Sequence, residues 1–162
     1  MKILGFAVLF FVAVAAVVLA AGQLGFLRGA APKDLGVRDA RLKQPSMTPN
    51  SVSSQADLYP NHPQRAYARI DPLHFTGDPD RAMEKLEGVL RNQDRTVIVT
   101  RESGYIYAQS TTPLLKFTDD VEFWLDRPGG VIHVRSSSRL GQKDFQVNRQ
   151  RVETIRAQFT GN

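Results

Sequence analysis

The stretch Val121–Ser137, VEFWLDRPGGVIHVRSS, decides the fold of this 162-residue chain. In its first half, apolar and polar side chains alternate, which is the two-residue period of a strand with one apolar face. A turn sequence, Arg127-Pro128-Gly129-Gly130, follows, and Val131–Ser137 then opens with β-branched residues again. Two such runs around a glycine-containing turn predict a β-hairpin.

A second hairpin is predicted just before the first. Thr96–Arg101 (TVIVTR) is rich in β-branched residues, Glu102-Ser103-Gly104 is a turn sequence, and Tyr105–Ser110 (YIYAQS) is the returning strand. Leu114–Phe117 is predicted as a further short strand between the two hairpins.

Two amphipathic helices are predicted on either side of the hairpins. Asp78 is a good N-cap for the first helix, with Pro79 at its first helical position. Apolar residues then recur at the spacing of a helix with one apolar face, namely at Ala82, Met83, Leu86, Val89 and Leu90. The last helix is predicted to follow Asn148 as its N-cap, and its apolar face carries Val152, Ile155 and Phe159.

The fold class follows from the order of these elements. Ala66–Phe75 (AYARIDPLHF) is predicted as a strand ahead of the first helix, which gives the order β-α-β-β-β-β-α. Consecutive strands joined by short turns pair antiparallel. We therefore expect an α+β domain over residues 65–162, with an antiparallel sheet of about five strands and both helices packed on one face.

Residues 1–27 form a hydrophobic N-terminal segment. After Lys2 the sequence ILGFAVLFFVAVAAVVLAAG carries no charge, and the next charged residue is Arg28. A membrane-spanning helix needs about 20 apolar residues, whereas the core of a signal peptide has about 7–15. We expect an uncleaved single-span transmembrane anchor. A cleaved signal stays open as the alternative, because Ala20-Ala21-Gly22 offers the small residues of a cleavage site.

The side of the membrane is indicated by two opposing signals. Lys2 and the α-amine lie before the span, and five cations follow it: Arg28, Lys33, Arg38, Arg41 and Lys43. This count places the domain in the cytoplasm by the positive-inside rule. A very short basic start followed by an apolar run is typical of exported proteins. We expect a single-pass protein of the cell membrane with its domain on the extracytoplasmic (periplasmic) side.

Residues 28–64 are rich in proline and serine and show no apolar period. Five prolines lie in this tether: Pro32, Pro45, Pro49, Pro60 and Pro63. Such a composition predicts an extended linker stiffened by proline. Packing of part of the tether along the domain is the alternative.

Composition excludes several classes of function. The chain has no cysteine, which excludes disulfides, thiolate metal sites and cysteine nucleophiles. Its net charge of +5 is spread along the sequence, whereas nucleic-acid binding needs a clustered basic face. The sequence contains no dinucleotide-binding, phosphate-loop, zinc-protease or nucleophile-elbow motif. We predict no cofactor, no metal and no nucleic-acid partner.

Four motifs carry a family resemblance. They are LGVRDARL at Leu35–Leu42, PNSVSSQA at Pro49–Ala56, DDVEFWLD at Asp119–Asp126 and VIHVRSSSRLGQKDFQVNRQRVETIRAQF at Val131–Phe159. From about Leu35 to the C-terminus the chain resembles the domain-of-unknown-function family numbered 1499. The resemblance implies a domain that often follows a signal or membrane segment, with no established activity. It also implies that the tether packs on the domain from about residue 35. Members commonly carry two cysteines near PNSVSSQA; here Ser51 occupies one of those positions.

The candidate ligand-binding residues are Arg135, Ser137, Arg139, Asn148 and Arg149. Guanidinium and hydroxyl groups at a strand end can clamp a phosphate or carboxylate. A helix start also favours anions through its free N–H groups. The alternative is that the arginines form ion pairs that join strand and helix, with Asp119, Asp120, Glu122 or Asp144 as partners.

Three hypotheses for function remain open. The leading one is a non-enzymatic, membrane-tethered module that binds an anionic ligand or lipid headgroup. The second is a hydrolase with a dispersed site of His133, the Ser136–Ser138 run and an acidic residue. The third is an assembly factor for another membrane protein. The expected partners are thus the lipid bilayer, through the N-terminal helix, and either anionic lipid or a membrane protein.

Overall fold

Helix α1, Lys2–Gln23, is the first element of the computed structural model, which describes residues 2–161. The stretch Ile3–Gln23 is long and apolar enough to cross a membrane, and its apolar window is not buried against the rest of the protein. A membrane anchor has these properties, and so does a signal sequence.

The rest of the chain is built on one antiparallel sheet of six strands. They are β1 (Ser51–Ser53), β2 (Leu73–His74), β3 (Thr96–Glu102), β4 (Tyr105–Thr111), β5 (Thr118–Asp126) and β6 (Val131–Ser138). The strand order is β1-β6-β5-β4-β3, and β2 also pairs with β6. The predicted α+β class, the antiparallel sheet and both hairpins are confirmed.

Three further helices and a 3-10 turn complete the domain. They are α2 (Arg65–Ala68), α3 (Pro79–Arg91), α4 (Val147–Thr160) and the 3-10 turn Ala56–Leu58. Helix α3 begins as predicted, because the Asp78 carboxylate accepts hydrogen bonds from the main-chain N–H groups of Asp80 and Arg81. The apolar faces of α3 and α4 join one face of the sheet in a single core, which contains Leu86, Leu90, Phe123, Ile132, Val134, Val152 and Ile155.

The predicted strand over Ala66–Phe75 is wrong for most of its length. Residues up to Ala68 form helix α2, and only Leu73 and His74 pair with β6. Pro72 has no main-chain N–H to donate to a neighbouring strand, so regular pairing begins only after it.

Two other boundaries differ from the prediction. Leu114–Phe117 is not a strand: Lys116 has a φ of 56°, and Thr112 N–H donates to the Phe117 carbonyl at 2.9 Å, which closes a loop. Helix α4 begins at Val147, so Asn148 lies inside it and is not its N-cap. The Asp144 carboxylate does that work instead, since it accepts from the main-chain N–H groups of Gln146 and Asn148 at 3.1 Å.

The second face of the sheet lies under the segment that precedes β1. Leu42 is buried there, and the Gly36 main-chain N–H donates to Glu122 Oε1 at 2.7 Å. Strand β1, which follows this segment, adds Val52 to the core on the helical side. The segment that precedes β1 thus buries polar side chains on the second face of the sheet.

Candidate functional site

The strand register brings charged residues together on the second face. Glu122 lies opposite both Tyr107 and Arg135, and Asp120 lies opposite both Gln109 and Ser137. Side chains on one strand alternate between faces. Asp119 and Asp120 therefore point to opposite sides of the sheet and belong to different ion pairs.

Glu122 and Arg135 form the deepest pair. The Glu122 side chain is fully buried, and its Oε2 lies 3.6 Å from Arg135 Nη1. Its other oxygen accepts from Gly36 N–H and from the Tyr105 hydroxyl at 2.9 Å. Burial raises the pKa of Glu122 and lowers the pKa of Arg135. Desolvation thus outweighs the attraction between these two groups.

Asp120 and Arg139 form a closer, two-pronged pair. Arg139 Nε donates to Asp120 Oδ2 at 2.9 Å, and Nη2 donates to Oδ1 at 2.7 Å. The Tyr107 hydroxyl donates to Asp120 Oδ1 at 2.6 Å and accepts from Arg139 Nη2 at 3.1 Å. The hydrogen bonds to Asp120 raise the pKa of Arg139. This geometry is the bidentate form in which arginine binds carboxylates most strongly.

The helical face carries a separate polar cluster. Arg151 Nη2 donates to Asp119 Oδ2 at 2.5 Å and Nη1 donates to Asn148 Oδ1 at 2.7 Å. Asn148 also accepts from the Ser136 hydroxyl at 2.5 Å. Arg149 Nη2 donates to the Tyr67 carbonyl at 2.6 Å. Ion pairs between arginines and Asp119, Asp120 and Glu122 are thus present, as the alternative interpretation of the sequence required.

Three of the five candidate ligand-binding residues lie together, and two do not. Arg135, Ser137 and Arg139 share one face at the end of β6, whereas Asn148 contacts the opposite face of that strand. These three residues line a cleft of about 330 Å³ between β6 and the segment that precedes β1. We call it the β6 cleft. Its other lining residues are Ala30, Pro32, Lys43, Gln44, Pro45, Ser46, Met47, Asp120 and Ser138.

Side chains with donor groups line both walls of the β6 cleft. Lys43 Nζ pairs with Asp34 at 2.7 Å, but its side chain is 34% exposed. An ammonium carries three N–H groups, so two are left for a ligand within the described part of the chain. Arg139 Nη1 has only a long 3.5 Å contact, to the Gly29 carbonyl. Sequence reasoning missed Lys43; the available signal was its place directly after the LGVRDARL motif.

His133 lies in a row with a serine and a carboxylate. Its Nδ1 is 3.0 Å from Ser54 Oγ, and its Nε2 is 3.7 Å from Asp126 Oδ2. The serine is not one of the Ser136–Ser138 run named in the hydrolase hypothesis. Ser54 Oγ also accepts from the Val134 main-chain N–H at 2.9 Å.

Strand pairing explains this row. Ser54 N–H donates to the Val134 carbonyl at 2.9 Å, so Ser54 extends the pairing of β1 with β6 by one residue. The Trp124 ring stacks on the imidazole at a centroid distance of 5.4 Å. Burial lowers the pKa of His133, partly offset by Asp126. A packed imidazole bound to a serine that pairs strands is a structural arrangement, and such a serine differs from the exposed nucleophile of a hydrolase.

The comparisons with known proteins give a family and no activity. The model of the family described as "Protein of unknown function (DUF1499)" matches residues 33–159. The chain belongs to this family. No curated protein and no solved structure matches the chain. The DUF1499 match begins before β1, so it takes in the segment that covers Glu122 and supplies Lys43 to the β6 cleft.

Proposed function

We propose that this DUF1499 protein is a single-span, membrane-tethered module that binds an anionic lipid headgroup in the β6 cleft. One observation carries the proposal: three cations line the cleft beside a single lining carboxylate, and the cleft stands where the chain leaves α1. Two of these cations also pair with carboxylates outside the lining, Lys43 with Asp34 and Arg135 with Glu122. Ala30 and Pro32, which follow soon after the end of α1 at Gln23, form part of its wall.

The carboxylates around the β6 cleft orient its cations. Asp120 fixes the Arg139 guanidinium through Nε and Nη2, so Nη1 is the group left for a ligand. The Ser137 hydroxyl, which also lines the cleft, is a further donor. A phosphate presents several acceptor oxygens to such donors. A pre-oriented set of donors loses little side-chain entropy when it binds.

The membrane anchor makes a modest affinity sufficient. If α1 spans the bilayer, the β6 cleft is held at the headgroup layer, where tethering raises the effective ligand concentration to about millimolar. Anionic headgroups also attract cations near the surface. A site whose cations are partly neutralised by carboxylates is then occupied even though its intrinsic affinity for the headgroup is weak.

Titration of the full-length chain in neutral detergent micelles with short-chain phosphatidylglycerol tests the proposal. Lys43→Ala is expected to weaken binding about 3- to 10-fold, the effect of losing a partly solvated hydrogen bond that contributes about 1 kcal/mol. Arg81→Ala is the matched control, since it removes one exposed charge from α3 on the other side of the sheet. Equal binding by Lys43→Ala and Arg81→Ala would contradict the headgroup site.

Two further ligands identify the source of the anion. Phosphatidylcholine is expected to bind more weakly than phosphatidylglycerol. Inorganic phosphate is expected to compete with phosphatidylglycerol only at high concentration, because it lacks the tethering benefit and the lipid contacts. Equal affinity for inorganic phosphate and phosphatidylglycerol would instead assign the cleft to a free anion.

We further propose that the domain lies on the extracytoplasmic side. The short basic start before the apolar run supports this orientation, whereas the cations after α1 oppose it. A C-terminal fusion to a reporter enzyme that is active only outside the cytoplasm is expected to be active. Activity from a cytoplasmic reporter instead would reverse the assignment.

A further inference from the structure

The last turn of α1 is packed against the domain. Gln23 Nε2 donates to the Leu114 carbonyl at 2.7 Å. Gly22 is buried, and a Cβ added to it would stand 2.7 Å from the Leu115 carbonyl oxygen. The end of α1 therefore contacts the connection between β4 and β5 directly.

The chain after α1 continues along the same end of the domain. A Cβ added to Gly29 would stand 2.8 Å from Arg139 Cβ and 3.0 Å from Leu140 Cγ. The end of β4, the start of β5 and the end of β6 meet here, because antiparallel neighbours reverse direction. The Arg139 main-chain N–H, for example, donates to the Thr118 carbonyl at 3.2 Å. The start of α4 joins them, since Asn148 Nδ2 donates to Ser138 Oγ at 3.0 Å. We call this end of the domain the anchor end.

Large apolar side chains are exposed at the anchor end. Phe145 is 83% exposed, Leu114 is 68% exposed and Leu140 is 42% exposed. Others nearby are Leu24, Phe26, Met47 and Val147. The other exposed large hydrophobic residues of the described domain are Leu58, and Val97 and Val99 on the edge strand β3. A cluster of this kind on a soluble surface marks a site of contact with another apolar phase.

The backbone holds Phe145 outward. Phe145 and Gln146 have φ angles of 51° and 71°, in the left-handed region that residues other than glycine rarely adopt. The Asp144 carboxylate fixes this conformation through main-chain N–H groups of Gln146 and Asn148, and it also accepts from the Tyr67 hydroxyl. Strain maintained by a surrounding network is characteristic of functional positions.

Three cations lie close in sequence to residues of the anchor end: Arg28 precedes Gly29, Lys143 precedes Phe145 by two residues, and Lys116 follows Leu114. Arg28 and Lys143 are exposed, and Lys116 lies in the β4–β5 connection two residues after Leu114. An aromatic and aliphatic centre with lysine and arginine close to it in sequence matches the membrane interface, where rings and alkyl chains sit below the headgroups and cations contact their phosphates.

We infer that the anchor end is a bilayer-contact surface, on which Leu114, Leu140 and Phe145 insert among the headgroups and fix the orientation of the domain. This inference rests on the proposed function only in requiring that α1 spans the bilayer. The occupant is the lipid surface, because α1 enters the domain at this end and would bring the cluster to the bilayer.

The absence of cysteine permits a direct test. Single variants Phe145→Cys, Leu140→Cys and Ser103→Cys of the full-length chain are spin-labelled in nanodiscs of phosphatidylcholine and phosphatidylglycerol. Ser103, in the turn between β3 and β4 at the opposite end of the sheet, is the control. Labels at 145 and 140 are expected to collide more with oxygen and less with a water-soluble nickel chelate than the label at 103. The same collision pattern at all three positions would overturn the inference.

A second substitution separates insertion from simple proximity. Phe145→Ser, placed in the Leu140→Cys background, is expected to lower the ratio of inserted to free states about tenfold, from the apolar burial that is lost. Unchanged immersion of the label at 140 would contradict a contribution from Phe145.

The Lys43→Ala variant tests the headgroup site separately from bilayer contact. Weakened headgroup binding by Lys43→Ala, together with an immersed label at 145, supports both proposals. An immersed label at 145 with unweakened headgroup binding contradicts only the headgroup site. A water-exposed label at 145 with weakened binding sinks only bilayer contact.

Discussion

Removal of the Arg139 guanidinium isolates the bidentate ion pair with Asp120 on the second face of the sheet. In Arg139→Met the Asp120 carboxylate, whose side chain is 2% exposed, keeps Tyr107 as a hydrogen-bond donor but loses its counter-ion. At the 2.7 Å separation of the two atoms, Coulomb's law at an effective dielectric constant of about 20 gives about 6 kcal/mol. The methionine regains part of this through apolar packing, so the expected loss in unfolding free energy is about 3–5 kcal/mol.

Urea unfolding of the full-length chain in micelles measures this, with Trp124, the only tryptophan, as fluorescent reporter. Arg91→Met is the control, because its pair with Glu87 is on the surface and should contribute no more than about 1 kcal/mol. The double variant Arg139→Met/Asp120→Asn should recover much of the loss. A loss below about 1 kcal/mol at neutral pH, or no recovery in the double variant, would refute the reasoning.

Three other outcomes are expected. Because burial raises the pKa of Glu122, the stability that this group contributes to the wild type is present below pH 4.5 and is lost as the pH rises. Glu122→Gln should abolish this pH dependence of the unfolding free energy, and an unchanged pH dependence would contradict the prediction. Burial alone would raise the pKa of Asp144, but its hydrogen bonds outweigh burial and lower this pKa. Asp144→Asn should therefore reduce the unfolding free energy by about 1–2 kcal/mol above pH 3.8 and by less in acid. A loss that does not change with pH in urea unfolding would argue against this. Ser54→Ala should cost about 1 kcal/mol, and a serine-directed fluorophosphonate should leave the wild type unlabelled; labelling that Ser54→Ala abolishes would revive the hydrolase hypothesis.

The hairpins and α3 were predictable because their signals are local. The turn before Tyr105, the turn before Val131 and the Asp78 cap each lie within a few residues of the element they define. Strand β1 was not predictable, since its three residues are held by pairing with β6, more than 80 residues later in the chain. Leu114–Phe117 had the composition of a strand, but it lies in the loop that α1 contacts.

The candidate site was predictable in part for the same reason. Arg135, Ser137 and Arg139 recur with the period of two that places them on one side of a strand. The position of Asn148 depends on α4 crossing to the other face of the sheet, which no local pattern specifies. Lys43 reaches the β6 cleft only because its segment folds back over β6.

Lipid retention by the full-length chain tests the headgroup site most directly. Native mass spectrometry after extraction from bilayers of mixed phosphatidylglycerol and phosphatidylcholine would identify the lipid that remains bound. The wild type and Arg81→Ala should both retain phosphatidylglycerol selectively, and Lys43→Ala should lose that selectivity. Retention of both lipids in proportion to the bilayer composition, or the same selectivity in Lys43→Ala as in Arg81→Ala, would contradict a headgroup site in the β6 cleft.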